Sequence, residues 1–425
     1  MRRLVLLANA FPYGTWETFL ETELEYLGDI DEVNIMSLSV RADQRRTRRP
    51  LPHPSMKAHP IAFRSRLFYL LASVRALTDA NLYRELRSLA RDGRLRGSRI
   101  VTLFVFLSRT HHEARACRRL LKEAGADSQD SVVFYSYRFN YQPYLAWLLG
   151  RHFPRSTSVA RAHRADLYEE LAPTGYLPLR EHTIDHLERI YCIADHGRDY
   201  LATRFPQSRD KTVVARLGTT DHGTTPSWPE RRPLRVVSCS TITEVKRLDL
   251  LLEALAGSSL PIEWEHFGEG PLREDLEARA AELLDAPSCP VQLRLHGFVS
   301  NTDLVQDYVR QARHVLVNVS SSEGVPVSIM EAMSTGMPVI ATDVGGTSEL
   351  VSTGVNGILL PPNPTAPQVL AAVEKVASMS EAEYTALRRG ARRTWEERCE
   401  ATRLYTDFAS ELSGLFPAAP SSDPS

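Results

Sequence analysis

The stretch "HVLVNVSSSEGVPVSIMEAMSTG", His314 to Gly336, runs from an apolar, strand-like segment through a Ser- and Gly-containing loop into an apolar, helix-like one. A buried strand leading into a helix is the repeating unit of a parallel sheet with helical crossovers. Pro326 suits the first helical turn, because it lacks the N–H that would be unsatisfied there. The helix start then leaves N–H groups around Val327 and Ser328 open, an arrangement suited to phosphate. Glu323 sits ahead of that start and Glu331 more than one turn inside, its side chain slanting back toward it. Eight residues of helix span about 12 Å, comparable to the reach from a sugar across a diphosphate to a ribose. Taken alone, the two acids read first as a helix cap and a solvated helix residue.

The same alternation extends in both directions. Strands are expected in "RRLVLLANA", "EVNIMSLSV", "RIVTLFVFL", "SVVFYSY", "STSVARAH", "RIYCIA" and "KTVVARLG", with helices such as Glu17 to Leu27 and Thr183 to Arg189 between them. After "GTTDHGTTPSWPERRP", rich in Gly, Thr and Pro, come "LRVVSCS", "IEWEHFG", "VQLRLHG", "HVLVNVS", "PVIAT" and "NGILLPP". The expected organisation is a first domain over 1–217, a linker over 218–233, a second domain over 234–395, a helix over 396–412 returning to the first domain, and a polar, Pro-rich disordered tail over 413–425. The fold class is α/β, two Rossmann-like parallel-sheet domains facing a central cleft. Ligands of such sheets bind beyond the carboxyl ends of the strands.

Composition narrows the function. The chain has 425 residues, 43% hydrophobic and 24% charged, enough for two cored domains. Its five cysteines are scattered without CxxC spacing, so neither a disulfide framework nor a zinc site is indicated and a reducing cytoplasm fits best. "MRRLVLLANAFPYG" reads as a first buried strand rather than a signal peptide. No apolar run approaches the roughly 18 residues of a membrane span, so the protein is expected to be soluble or peripheral. The net charge is −1, yet Arg41 to Lys122 carries 20 Lys or Arg against 5 Asp or Glu. That excess suits anionic lipid headgroups or phosphorylated acceptors, or simply solvated helix faces; no nucleic-acid module accompanies it. "DID" at Asp29 to Asp31 precedes a strand, at the wrong end of a sheet for a metal site. His182 and His186 of "HTIDH" lack the following acid of a zincin, and no metal is expected.

"SSSEGVPVSIMEAMSTGMPVIATDVGGTSELV" resembles the donor-site signature of glycosyltransferase family 4, retaining enzymes of the GT-B fold, including its paired acids. "VSCSTITEVKRLDLLLEAL", "HFGEGPLREDLE" and "LHGFVSNTDL" fall in that family's order, and "FPYGTWETFLETEL" and "ARAHRADLYEE" are similar to bacterial capsule and exopolysaccharide members. The likeness covers about Ala10 to Val351. It implies that Lys246 and Arg247 neutralise the donor diphosphate, where many members carry a further Arg and this chain has Ser240 and Thr241. Glu323 would contact the donor sugar beside backbone N–H groups of Gly324, Val325, Pro326's neighbour Val327 and Ser328, and Glu331 the ribose. Gly268, Gly270 and the loop at Phe298 and Val299 would shape the nucleotide pocket. Gly14 and Thr15 form the phosphate-approaching glycine loop, which departs from the family at Thr15-Trp16. His163 would contact donor or acceptor, or be a satisfied core histidine, with Arg161 and Asp166 on the acceptor side and Arg164 where a glycine is usual.

The reaction so implied is transfer of a sugar from a nucleotide diphosphate sugar to an acceptor hydroxyl with retention, without metal or other cofactor. Three readings stay open: a polysaccharide or glycolipid enzyme, cytoplasmic and peripheral on the inner membrane face, acting on a lipid-linked or saccharide acceptor; the same chemistry on a soluble small molecule; and a catalytically silent nucleotide-sugar-binding subunit.

Overall fold

The computed structural model describes residues 1–14, 17–71, 74–226, 231–286 and 289–418. It divides into two units, Met1–Ala215 together with the chain from Tyr405, and Arg216–Leu404. The first unit is built on β1 (Arg2–Ala8), β2 (Glu32–Val40), β3 (Met56–Ala62), β4 (Ser131–Ser136), β5 (Ser156–Ala162), β6 (Arg189–Cys192) and β7 (Thr212–Val214). They lie in the order β3-β2-β1-β4-β5-β6-β7, every neighbouring pair parallel. The second unit has β8 (Leu234–Cys239), β9 (Ile262–Phe267), β10 (Val291–Gly297), β11 (Val315–Asn318), β12 (Val339–Thr342) and β13 (Gly357–Leu360), in the order β10-β9-β8-β11-β12-β13, again all parallel. Each is a Rossmann-like sheet in which winding reverses beside the first strand, between β1 and β4 and between β8 and β11. At such a reversal the loops diverge to opposite faces and leave a crevice at the carboxyl edge.

Helices cover both faces of each sheet, which is why the central strands are continuously apolar. Leu4, Leu6, Val133 and Tyr135 pack on one face of the first sheet with Phe408 and Leu412 of the helix Ala401–Gly414. Val5, Leu7, Val132 and Phe134 pack on the other with the helix Gly97–Glu123.

The structure departs from expectation in three elements. "RIVTLFVFL" is not a strand but the first third of the 27-residue helix Gly97–Glu123. A short apolar run does not distinguish buried helix from buried strand; the buried positions Leu103, Phe106, Leu107, Thr110, Ala114, Cys117 and Leu121 have the helical period over the longer window. The strand β3, "MKAHPIA", was missed because Pro60 interrupts it, and a proline is tolerated there because β3 is the sheet edge. The segment expected as one helix over 396–412 is two helices, Glu381–Arg398 and Ala401–Gly414. Thr219 breaks it, its N–H donating to the Cys399 carbonyl at 2.8 Å and its carbonyl accepting from Ala401 N at 3.1 Å. Of the tail expected from 413, Phe416 joins the core of the first unit and Pro417 accepts from Ser131 Oγ at 2.8 Å, while 419–425 lie outside the described residues. So do 227–230 of the expected linker. No helix among the described residues is long and apolar enough to cross a membrane.

Candidate functional site

In the second unit the loops leaving β8 and β11, on either side of the winding reversal, are joined at their tips. Ser321 N donates to the Val245 carbonyl at 2.8 Å, and Lys246 Nζ donates to Glu323 Oε1 at 2.6 Å. Asn318 Nδ2 adds a second, longer contact of 3.3 Å to the same oxygen. Both ionic partners are largely shielded, Lys246 at 24% and Glu323 at 10% side-chain exposure, so the pair is screened less than a surface one. Lys246 and Glu323 are thus brought together as a cation and an acid at the carboxyl edge.

Arg247 is placed differently from Lys246. Its guanidinium donates Nε to the Val319 carbonyl at 2.6 Å and Nη2 to the carbonyls of Ser320 at 3.0 Å and Pro362 at 2.9 Å. Its backbone is left-handed, φ 50°, which turns the side chain back under the loop. Its hydrogen bonds are spent on three backbone carbonyls and the Asn363 side chain, so it shapes the loop and leaves Lys246 as the cation beside Glu323.

Glu323 is held from behind by close backbone packing. Gly346 N donates to the Gly324 carbonyl at 2.7 Å, and a Cβ on Gly345, φ +57°, would lie 2.0 Å from the Glu323 carbonyl oxygen. Pro326 stands just before the first turn, not within it, and the helix is Val327–Ser334. Pro326, as the cap residue, offers no side-chain acceptor to the first-turn N–H groups at Val327 and Ser328, and a helix start left in this way is suited to an anion.

Glu331 is not a solvated helix residue: it is 5% exposed. Asn301 Nδ2 donates to its Oε1 at 2.7 Å. Burial raises its carboxyl to a pKa of about 8, against which the Asn301 hydrogen bond works, so at neutral pH it is mostly protonated. Gly268, φ +143°, and Gly270 lie against the loop after β8, where added Cβ atoms would come within 1.8 Å of the Ser240 oxygen and 2.3 Å of the Ile242 oxygen. Gly268 N is bonded to the Gly297 carbonyl at 2.8 Å. Phe298 projects into solvent, 72% exposed, with Val299 half-buried beside it.

The first unit has its own cluster at the carboxyl ends of β1, β4 and β5. Gly14, φ +72°, is tied through its N–H to the Thr47 carbonyl at 2.9 Å; Thr15 lies outside the described residues. His163 caps a one-turn helix whose Asp166 accepts from the His163 N–H at 2.7 Å. Its imidazole packs on Tyr137, centroids 5.0 Å apart. Burial, then Arg138 and Arg161, holds that ring well below its ordinary pKa and so neutral, while burial lifts the Asp166 carboxyl to about 6 against the pull of Arg138.

Arg161 is not on an acceptor-facing surface. It is completely buried, with Glu23 Oε2 at 2.9 Å, Tyr135 Oη at 2.8 Å and the Ala215 carbonyl at 3.0 Å as partners, under Phe408. The reason is positional: Arg161 belongs to the ladder of β5, where both faces are covered, and only residues past the last ladder position reach the edge.

Sequence reasoning missed Glu17, whose carboxylate accepts from the N–H groups of Asn9, Ala10 and Phe11 at 3.1, 3.0 and 3.1 Å. It fixes the loop after β1, and its signal is a lone acid in that loop. It also missed a cavity of about 310 Å³ lined by Asn9, Arg41, Arg109, Arg138 and Asp166 among others. Among the described residues, no cluster of His, Cys, Asp and Glu forms a metal-binding group.

Known proteins share both the fold and part of the sequence. The chain superposes on sucrose-phosphate synthase from Thermosynechococcus elongatus with a TM-score of 0.71 over 98% of this chain and 99% of that one, at 14% identity. On Anabaena HepE in complex with UDP the TM-score is 0.65, covering 98% and 100%, at 15% identity. Likeness at such identities shows the fold alone, the GT-B class with two Rossmann-like parallel-sheet α/β units. In sequence, the chain is 30% identical over 192 residues to the amylovoran biosynthesis glycosyltransferase AmsK of Erwinia amylovora, 43% of this chain and 46% of that protein. The chain spans between about a quarter and a half of the length of the first curated relatives it matches. Residues 233–378, the segment holding Lys246, Glu323 and Glu331, match the sequence model of the family described as Glycosyl transferases group 1.

Proposed function

We propose that the protein is a retaining, family 4 glycosyltransferase that moves a sugar from a nucleotide diphosphate sugar to an acceptor hydroxyl, without metal, in cell-surface polysaccharide or glycolipid assembly. The observation that carries this reading is the Lys246–Glu323 pair between β8 and β11, beside the uncapped helix start at Val327. When the anomeric carbon parts from the phosphate oxygen, the leaving diphosphate gains negative charge. A lysine ammonium and open helix N–H groups fixed where that charge develops stabilise it without reorganising. Glu323 accepts from hydroxyls of the donor sugar and Glu331 from those of the ribose. No carboxylate is assigned as a nucleophile. The acceptor oxygen bonds the anomeric carbon on the face the diphosphate leaves, and its proton passes to a phosphate oxygen, so retention needs no covalent sugar–enzyme bond. His163 and Gly14 are the substrate contacts proposed within the first unit.

The reading is supported by the family match over the donor segment and by the names of relatives, a polysaccharide glycosyltransferase and a UDP-bound neighbour among them. Its test is turnover of a panel of UDP-, GDP- and ADP-sugars by the purified chain. Lys246→Ala and Glu323→Gln should each lower kcat about 100-fold or more, the scale of removing one transition-state contact, with thermal stability kept. Near-normal rates in both would remove the assignment. Donor hydrolysis without acceptor excludes a silent subunit.

Location at the inner membrane face rests on a different observation. Phe63, Leu67, Val74 and Leu77 are 48%, 64%, 72% and 47% exposed in the Arg-rich segment. Apolar side chains standing among arginines suit the interface of an anionic bilayer. Flotation with anionic but not neutral vesicles supports this; flotation with neither favours the soluble acceptor.

A further inference from the structure

We infer that the first unit seats an acidic sugar carrying an apolar substituent, which names the acceptor class of the glycosyl transfer proposed above and rests on that reading. Two adjoining cavities carry the inference. The first, about 310 Å³, lies past the carboxyl ends of β1, β2, β4 and β5, at this unit's winding reversal. It is lined by Arg41, Arg109 and Arg138, with Asn140 as an amide partner for hydroxyls and with Gln142, whose Nε2 donates to Asn9 Oδ1 at 2.9 Å. Its volume is that of about ten waters, the scale of one sugar ring with a substituent. The second, about 270 Å³, shares Arg109, Asn140, Tyr141 and Ala165 with the first and continues between Val105, Phe106, Leu171 and Pro178, with Arg66 also in its lining.

Charge decides the ligand of the first chamber. Asp166 is the one acid in its lining among the described residues; burial raises its carboxyl to about 6, so near neutral pH it is mostly ionised. Two further acids sit behind the arginines. Glu113, itself fully buried, accepts from Arg109 Nε at 2.9 Å, and Glu17 lies 3.6 Å from Arg138 Nε while committed to three backbone N–H groups. These contacts orient the guanidinium groups. Arg109 is further set by Ser39 Oγ and by the Tyr141 ring 3.9 Å below it. Arg41 reaches the chamber from the exposed side, over Phe63. Three guanidinium forks against the single carboxylate of the lining match a further carboxylate or a phosphate monoester. The largely apolar chamber beyond Arg109 then takes the group attached to that sugar.

The test uses the full chain and four probes by calorimetry or ligand-observed NMR: 4-nitrophenyl β-D-glucuronide, 4-nitrophenyl β-D-glucoside, free glucuronate and glucose 1-phosphate. The aryl glucuronide should bind at least about tenfold tighter than the aryl glucoside and tighter than free glucuronate. Arg41→Gln should erase the preference for charge, and Leu171→Ser the benefit of the aryl group alone. Glucuronate against glucose 1-phosphate tells whether the anion is carboxylate or phosphate; binding of either one above the glucoside supports the site. Equal binding of charged and neutral probes, absence of binding by all four, or a charge preference that survives both Arg41→Gln and Arg138→Gln overturns it. Nucleoside diphosphate binding on the same samples separates the two claims. If it persists while the sugar preference is absent, only the acceptor inference fails; if it too is absent, the donor reading fails.

Discussion

Glu331 and Arg161 are both buried ionisable groups, and their partners set opposite expectations for them. Glu331 has one neutral donor, Asn301, and a carboxyl pKa near 8. Ordinary glutamate titrates near 4.3 in an unfolded chain. Between those values the folded state holds a proton that the unfolded state has released, so stability falls as pH rises through roughly 4.5 to 8. Glu331→Gln keeps an acceptor for Asn301 and removes that slope. Chemical denaturation should find the variant level with the parent at pH 4.5 and more stable at pH 8.5; a parent stability flat over that range would contradict the burial argument. If donor hydroxyls select the ionised form, nucleotide-sugar affinity should also rise from pH 6 to 8 in the parent and not in Glu331→Gln. Arg161, by contrast, is matched with Glu23 at 2.9 Å, both fully buried. Removing one partner strands the other, so Arg161→Met should cost about 3–5 kcal/mol and leave donor affinity of the folded protein unchanged.

At the scale of elements, the positions of Lys246, Glu323 and Glu331 were legible because each sits a few residues past a strand or on the helix that follows; the roles proposed for them came from the family resemblance, since the two acids alone read as a cap and a solvated helix position. The Arg41, Arg109 and Arg138 chamber was not legible, since its members come from a strand end, the middle of a long helix and another strand end. The same helix was half misread, because "RIVTLFVFL" is apolar enough to serve in either structure and only its continuation to Leu121 shows the 3.6-residue period. Gly345 tests the element that carries Glu323. Its φ of +57° and its 2.0 Å Cβ approach to the Glu323 carbonyl leave no room for a side chain. Gly345→Ala should therefore destabilise by about 1–3 kcal/mol and weaken donor binding together, whereas Gly354→Ala, also left-handed but with open space around it, should cost stability alone. Equal donor affinity in both would separate the glycine from the site.

For the molecule as a whole, both units repeat one sheet order with a reversal beside the first strand, and each places its polar cluster at that reversal. The topology therefore predicts position, and the residues there decide chemistry: a lysine and two acids in the second unit, arginines and amides in the first. Because a lysine and a helix end are assigned the charge-neutralising role, turnover should survive exhaustive chelation within about twofold, and a loss restored by a divalent ion would require a different account. The central claim is that Lys246, held by Glu323, grips the diphosphate. Calorimetric titration of the chain with UDP, GDP and ADP tests it most directly. At least one should bind in the micromolar range and weaken tenfold or more in Lys246→Ala, at unchanged thermal stability; equal affinity in parent and variant, or no binding of any of the three, would contradict it.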